Sequence, residues 1–345
     1  MAKSGSTPAK KRAAAAGRER ELLEELNKGE DNAPAQFLGS DLQALKIRGV
    51  ISTQCVTLDR AIGRGGVPLG RLTLLHGKEG SGKTTIALHL IAEAQKRGGL
   101  CVYIDAEHKL DPDYAERIGV DIARLLLVQP DYVEKMFPMV EKAVAIAKKY
   151  REQGEPFPIL FVLDSINALP TKEEFEAGWE DHHVAPDARA YSSKLKKLMP
   201  ILKREDVALV FVSQVREKVG VMFGSKERTG GGNAPKFYSS LILETTRTGA
   251  VKDGDREIGN LTNVRCSKNQ IAPPFKHAEF KLVWGRGIDY EDSLLQEALR
   301  AGVVEKAGAW FSHKGERLGQ GAANAASTLR GNPEWAARIL EEVSP

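Results

Sequence analysis

The chain is 345 residues long, 42% hydrophobic, with a formal net charge of +4. Such a length and apolar content bury a large core and exclude wholesale disorder, and so small a net charge leaves partners to be read from the local distribution of charge. Cys55, Cys101 and Cys266 stand far apart with no C-x-x-C pair, which argues against a zinc site or a disulfide scaffold and fits a reducing compartment, by default the cytoplasm. No apolar run approaches the roughly 18–20 residues of a membrane span, so no membrane association is expected. The basic start, MAKSGSTPAKKRAAAAGRER, lacks the apolar stretch of a secretory signal and reads as a disordered or fraying arm.

Taken in chain order, a short charged helix is expected from Gly17 to Asn27, with Leu22, Leu23 and Leu26 on one stripe, followed by the linker-like GEDNAPAQ. From Arg71 the runs RLTLLHG, LCVYIDAE, RLLLVQP, PILFVLDS and VALVFVSQ are continuous rather than alternating, as in strands buried on both faces of a parallel sheet. Helices are expected at Thr84–Arg97, Val133–Gln153 and Asp187–Arg204, so the fold class is an α/β sandwich. SLILETTR, LTNVRCSK and AEFKLVW read as hairpin-connected strands added at the sheet edge. After Gly287 a helix, a turn, a small hairpin and a closing helix (NPEWAARILEEV) suggest a small C-terminal module.

Gly77, Lys78, Glu79, Gly80, Ser81, Gly82, Lys83 and Thr84 spell GKEGSGKT, a full G-x-x-x-x-G-K-[ST] match between a predicted strand and a predicted helix, with Thr85 next in line. Gly80 and Gly82 let successive N–H groups turn inward at a phosphate, and the helix N-terminus adds a favourable dipole. Lys83 is expected on the β- and γ-phosphates of ATP and the Thr84 hydroxyl on Mg²⁺. Asp164 closes the apolar run PILFVLD, the pattern of a second metal-holding carboxylate, although an Asp after a strand serves equally well as a helix cap. Glu107, just past LCVYID, is the candidate for activating water; as a lone carboxylate it reads equally as surface charge.

With these residues in place, longer stretches carry a resemblance: GGVPLGR, GKEGSGKTT, YIDAEHKLDPDYAERIGVD, VGVMFG, TGGGNAPKFYSS, GAVKDG, APPFKHAEF and VEKAGAWFSHKGERLGQG. From about Val50 to the C-terminus the chain resembles the bacterial RecA recombinases. The resemblance implies a P-loop ATPase core with a central, mostly parallel sheet (residues 50–287), an N-terminal arm and polymerisation helix (1–49) and a small α+β C-terminal domain (288–345). It implies a helical filament of the chain itself on single-stranded DNA, which pairs homologous double-stranded DNA and exchanges strands. Members also stimulate self-cleavage of an SOS repressor. It makes Glu107 the base, Gln214 the γ-phosphate sensor, Asp111, Tyr114 and Trp284 neighbours of the adenine, Phe237 an interface residue, and Lys268 a residue reaching the neighbouring subunit's nucleotide.

The second DNA loop that the family implies, about Val215 to Tyr238, also reads as one from its residues. It holds Arg216, Lys218, Lys226, Arg228 and Lys236 against Glu217 and Glu227, with five glycines from Gly220 to Gly232. Basic residues on flexible backbone suit phosphate contacts, and Val219, Val221, Met222 and Phe223 suit a wedge between bases. Gly231, Gly232 and Asn233 complete the candidate set. The first loop, about Glu176 to Ala185, feeds a helix with Arg189, Ser192 and Lys196 on one side. The chain departs from the family at Gln270, where a second lysine is usual, at Trp284 in place of Tyr, in the first loop (Trp179, His182, Val184), and in ending at EEVSP without a long acidic tail. A different P-loop motor, a ring helicase or clock-type protein, is the alternative reading; the basic glycine-rich loop and AGAWFSHKGERLGQG argue against it.

Overall fold

The computed structural model describes residues 8–28, 35, 47–152, 157–177, 186–217, 227–228 and 232–343. The chain packs as two units, Met1–Arg48 and Gly49–Pro345. In the first, α1 runs Pro8–Asn27. It starts nine residues before the expected Gly17, and the basic arm is helical from Pro8 rather than frayed. Ala-rich KKRAAAA is strong helix-forming sequence and proline is well suited to a first helical position. Leu22 and Leu26 are exposed, at 60% and 55%. At its end, Asn27 exchanges hydrogen bonds with the backbone of Ala35, the described residue of the expected linker.

The second unit opens with β1 (Val50–Ile51), α2 (Val56–Ile62) and β2 (Val67–Pro68). Alternating strands and helices follow: β3 (Leu72–Gly77), α3 (Lys83–Lys96), β4 (Leu100–Asp105), α4 (Pro112–Ile118), β5 (Leu125–Val128), α5 (Val133–Arg151), β6 (Ile159–Asp164), α6 (Lys172–Glu176), α7 (Pro186–Arg204) and β7 (Val207–Gln214). The two-residue pair β8 (Arg216–Glu217) and β9 (Glu227–Arg228) closes the base of the glycine-rich loop, and α8 (Ala234–Tyr238) follows it. Then come β10 (Leu241–Asp253), β11 (Arg256–Asn269), β12 (His277–Val283) and β13 (Gly287–Ile288). The C-terminal module comprises α9 (Tyr290–Arg300), β14 (Val304–Ala307), β15 (Trp310–His313), β16 (Glu316–Gln320), α10 (Ala322–Gly331) and α11 (Pro333–Val343), so a third strand and a further helix join the expected hairpin.

Nine strands form one sheet in the order β13-β12-β11-β10-β3-β7-β6-β4-β5. β10, β3, β7, β6, β4 and β5 are mutually parallel, and β11, β12 and β13 extend the β10 side antiparallel. The three strands expected as edge additions are there, but β10 begins parallel to β3 and is itself interior. In β3, β6 and β7, flanked on both sides, nearly every residue is buried; each fully buried Leu, Ile or Phe contributes about 1.5–3 kcal/mol over exposure. The expectation of burial on both faces fails at β5, where Leu126 and Leu127 are each 50% exposed. Among the described residues β5 is an edge strand hydrogen-bonded to β4 alone, and none of them covers its outer side as its sequence suggests. A second apolar cluster, built on Leu294, Leu295, Phe311, Leu329, Trp335 and Ile339, centres the C-terminal module. No helix among the described residues is long and apolar enough to cross a membrane.

Candidate active site

Parallel strands deliver their C-terminal ends to one side of the sheet, and four of those ends converge here. β3 runs into the GKEGSGKT loop, β4 into Glu107, β6 into Asp164, and β7 into Gln214. The loop turns through Gly80 (φ 69°) and Gly82 (φ 92°), both left-handed. A Cβ on Gly82 would lie 2.2 Å from Leu282 Cδ1, so steric room as well as conformation calls for glycine. Beyond Gly82, α3 begins at Lys83 with no side-chain cap on its first-turn N–H groups, and Lys83, Thr84 and Thr85 line the pocket.

The pocket is about 350 Å³ and is lined by Glu79, Gly80, Gly82, Lys83, Thr84, Thr85, Tyr103, Asp105, Glu107, Lys109, Tyr114, Asp164, Gln214, Asn260, Leu282, Val283 and Trp284. Lys83 is buried, and its Nζ donates to the carbonyls of Gly77 (3.0 Å) and Lys78 (2.7 Å). Burial pulls the ammonium below its ordinary range, against the pull of Asp164, Glu107 and Glu79. The Thr84 hydroxyl donates to Asp164 Oδ2 at 2.6 Å, and the Tyr103 hydroxyl donates to the same oxygen at 2.9 Å. Burial raises the Asp164 carboxyl despite these two bonds, and the Glu107 charge adds to the rise. A desolvated carboxylate beside a second carboxylate and a hydroxyl is a hard-oxygen donor set that gains from a divalent cation, so Thr84 and Asp164 fit Mg²⁺.

Glu107 is held on both oxygens. Oε1 accepts from the Ser165 hydroxyl (2.6 Å) and the Gln214 side-chain amide (3.1 Å), while Oε2 accepts from Lys109 Nζ at 2.9 Å. Burial pushes its carboxyl up, but the Ser165 and Lys109 bonds outweigh burial and hold it below the ordinary value, so Glu107 is an anion at neutral pH. Gln214 is fixed in turn: its N–H donates to Asn167 Oδ1 (3.0 Å) and its carbonyl accepts from Asn167 Nδ2 (3.2 Å). At the other end of the pocket Tyr114, whose hydroxyl lies 2.9 Å from that of Thr85, and the half-exposed Trp284 leave an open aromatic mouth.

The model for the RecA N-terminal domain matches residues 22–289, and that for the RecA C-terminal domain matches residues 292–344. This chain belongs to the RecA family. It is 46% identical over 297 residues to Protein RecA of Syntrophobacter fumaroxidans, covering 86% of this chain and 84% of the relative. It is 44% identical over 334 residues to Protein RecA of Cutibacterium acnes, covering 96% and 93%, and 48% identical over 286 residues to that of Colwellia psychrerythraea, covering 83% and 80%.

Against this RecA-family frame, the sequence-derived residues divide. Lys83, Thr84, Asp164, Glu107, Gln214, Tyr114 and Trp284 share the pocket. Gly77, Lys78 and Ser81 line a neighbouring cavity of about 260 Å³ behind the loop, where the Ser81 hydroxyl lies 2.7 Å from that of Thr245. Asp111 caps α4, accepting from Tyr114 N, and is not among the pocket-lining residues. Lys268 is not either: its Nζ donates to the carbonyls of Lys236 (3.1 Å) and Phe237 (2.8 Å), beside a Phe237 that is 73% exposed. Arg189, Ser192 and Lys196 are exposed along one side of α7, whose other side buries Tyr191, Leu195, Leu198 and Leu202. Gly232 (φ 69°) and Asn233 lead into α8, and the backbone of Arg216 pairs with Arg228. Val219, Met222, Phe223 and Gly231, with Trp179, His182 and Val184, lie outside the described residues. Sequence reading missed Tyr103, Lys109, Ser165 and Asn260. Lys109 and Ser165 each lie within two residues of a residue already singled out, the one signal that was there to use.

Proposed function

We propose that the chain is an ATP-dependent DNA recombinase that polymerises on single-stranded DNA, pairs it with homologous duplex and exchanges strands, hydrolysing ATP as it does so. The Gln214 amide on Glu107 Oε1 carries this reading. It joins the carboxylate placed to activate water to the last residue of β7, from which the chain leads directly into the basic, glycine-rich loop. A change at the loop is thereby transmitted to the hydrolytic centre through one strand end.

In hydrolysis Glu107, anionic and oriented by Ser165 and Lys109, takes the proton from the attacking water. Lys83 turns from the Gly77 and Lys78 carbonyls to the β- and γ-phosphates. Thr84 and Asp164 would hold Mg²⁺, which would supply charge neutralisation for the phosphates when bound. Tyr114 and Trp284 flank the base. The DNA set is Arg189, Ser192, Lys196 and Arg216 for phosphates, Val219, Met222 and Phe223 for bases, and Gly231, Gly232 and Asn233 for the turn. Stimulation of SOS repressor cleavage belongs to the same reading as a property of the filament.

Self-assembly has two surfaces to draw on. β5 presents an edge that no described strand pairs, with two half-exposed leucines, and α1 presents Leu22 and Leu26. Two unlike surfaces on one chain make a heterologous, head-to-tail contact, the kind that propagates as an open helix. Phosphate release should rise on adding single-stranded DNA, and electron microscopy with a slowly hydrolysed ATP analogue should show open helical filaments. Closed rings, with no DNA stimulation, would assign the chain to another class of P-loop motor.

A further inference from the structure

A second cavity, of about 780 Å³, lies between α2 with its following turn and the C-terminal helices, and it shares no lining residue with the nucleotide pocket. Three cations line it: Arg60 and Arg64 from α2 and the turn, and Lys276 from the segment before β12. Arg60 is committed to Glu297. Arg64 donates Nε to the Ile271 carbonyl at 3.1 Å, and neither Arg64 nor Lys276 has an acidic partner among the described residues. The cavity's carboxyl, Asp59, is turned inward: it accepts from the Ser52 hydroxyl and from the Thr53 N–H and hydroxyl. Burial pushes that carboxyl up to about 7, which blunts its negative charge at neutral pH. The remaining wall is apolar or aromatic. Val56, Tyr290, Leu340 and Val343 each pack partly on the C-terminal cluster.

We propose that this cavity is a ligand site separate from the nucleotide pocket, and that it takes a small amphipathic anion, with its acidic head on Arg64 and Lys276 and its apolar body against Val56, Tyr290, Leu340 and Val343. The chemistry follows from the mixed lining. A bare inorganic anion would leave the apolar wall in water, and a hydrocarbon would desolvate two cations without a partner. The volume lies in the range of small-molecule sites, roughly 300–1,000 Å³, and such sites favour junctions between separately packed cores. The head is a carboxylate or a phosphate, both of which a guanidinium and an ammonium recognise.

The probe is 8-anilinonaphthalene-1-sulfonate, whose sulfonate stands in for that head. It is titrated by fluorescence into the full chain saturated with Mg²⁺ and a slowly hydrolysed ATP analogue. One saturable site is expected, unaffected by the nucleotide. Arg64→Ala and Lys276→Ala should each weaken it about tenfold or more, since charged hydrogen bonds are lost, with Arg64→Lys retaining more affinity than Arg64→Ala. Both positions are exposed, so the variants should fold, and nucleotide affinity equal to that of the unaltered chain checks this. 1-Naphthoate and 1-naphthyl phosphate, added as competitors, distinguish the two heads, and displacement by either supports the site. Displacement by nucleotide, unchanged affinity in both alanine variants, or displacement by neither competitor overturns it. So does a loss confined to duplex DNA binding, which would make the cations a nucleic-acid surface.

Discussion

Glu107 and Lys268 are both charged groups that the family resemblance assigns to one reaction, yet the chain treats them in opposite ways. Glu107 sits inside the pocket with hydrogen bonds to Ser165, Gln214 and Lys109. Lys268 sits on β11, eight residues beyond the pocket-lining Asn260. Lys268 is not among the residues that line the pocket. Its ammonium is instead parked on two carbonyls of α8, and burial alone lowers its pKa. Glu107 faces the pocket of its own chain, whereas Lys268 lies outside that pocket, and it is the family resemblance that has Lys268 reach the nucleotide of a neighbouring copy. On the proposed reading, a single chain carries the phosphate cradle and borrows the Lys268 charge from its neighbour.

The largest expected effect tests the cradle. Lys83→Ala removes the charge aimed at the transferring phosphoryl group and should reduce phosphate release about 10³-fold or more. Circular dichroism should be unchanged, because the carbonyls that Lys83 Nζ bonds, those of Gly77 at the end of β3 and of Lys78 in the loop, can be satisfied by water once the ammonium is gone. Turnover within a few-fold of the unaltered chain in a folded variant would remove the cradle from the mechanism.

The borrowed charge is tested by mixing. Glu107→Gln and Lys268→Ala proteins should each lose about 10²–10³-fold in DNA-stimulated turnover, the scale for removing one preorganised charged group. Gln270 carries no charge, so Lys268 has no neighbouring lysine to cover for it. Co-assembled at random in equal amounts, about a quarter of head-to-tail interfaces join an intact Glu107 to a neighbour's intact Lys268, and activity should return to about that fraction. Mixed filaments no more active than either parent would mean that Lys268 acts within its own chain or not at all.

The same division explains what the sequence made legible. The cradle is contiguous, GKEGSGKT between a buried strand and a helix, so its order along the chain already implies its geometry. Asp164 was readable because it ends an apolar run, and Glu107 because it stands just past one. Tyr103 was not, since inside LCVYID it reads as one more buried apolar residue, and its bond to Asp164 exists only because β4 and β6 are neighbours in register. Asp111, which the resemblance sets near the base, shows something the sequence did not: one oxygen of its carboxylate caps α4 by accepting from the Tyr114 N–H. β5 misled because a run of leucines reports apolar character, and which flank of the sheet stays uncovered is decided by strand order.

The smallest expected effect concerns how α3, which carries the cradle, is held from behind. His89 on α3 is buried; its Nε2 accepts from the Ile288 N–H at 2.8 Å, and its Nδ1 pairs with Gln54 Oε1 at 2.8 Å. A Cβ on Gly287 would lie 2.3 Å from that Nε2, so the glycine (φ 81°) is what lets β13 approach. Accepting at Nε2 requires a neutral ring. Burial, reinforced by the Lys96 charge, lowers the imidazole to about 4, and Glu93, bonded to Gln54, lies one step further out. The unfolded chain binds the proton near pH 6.5 and the folded chain near 4, so folding stability is full above pH 6.5 and falls as pH drops through that window. The loss between pH 7 and pH 5 is about 2 kcal/mol. His89→Gln, which keeps a donor and an acceptor but does not titrate, should be less stable than the unaltered chain at neutral pH. Its urea midpoint should nonetheless decline less between those two values. If the two proteins lose stability in parallel over that range, His89 is not the titrating tie, and the back of α3 is held by packing alone.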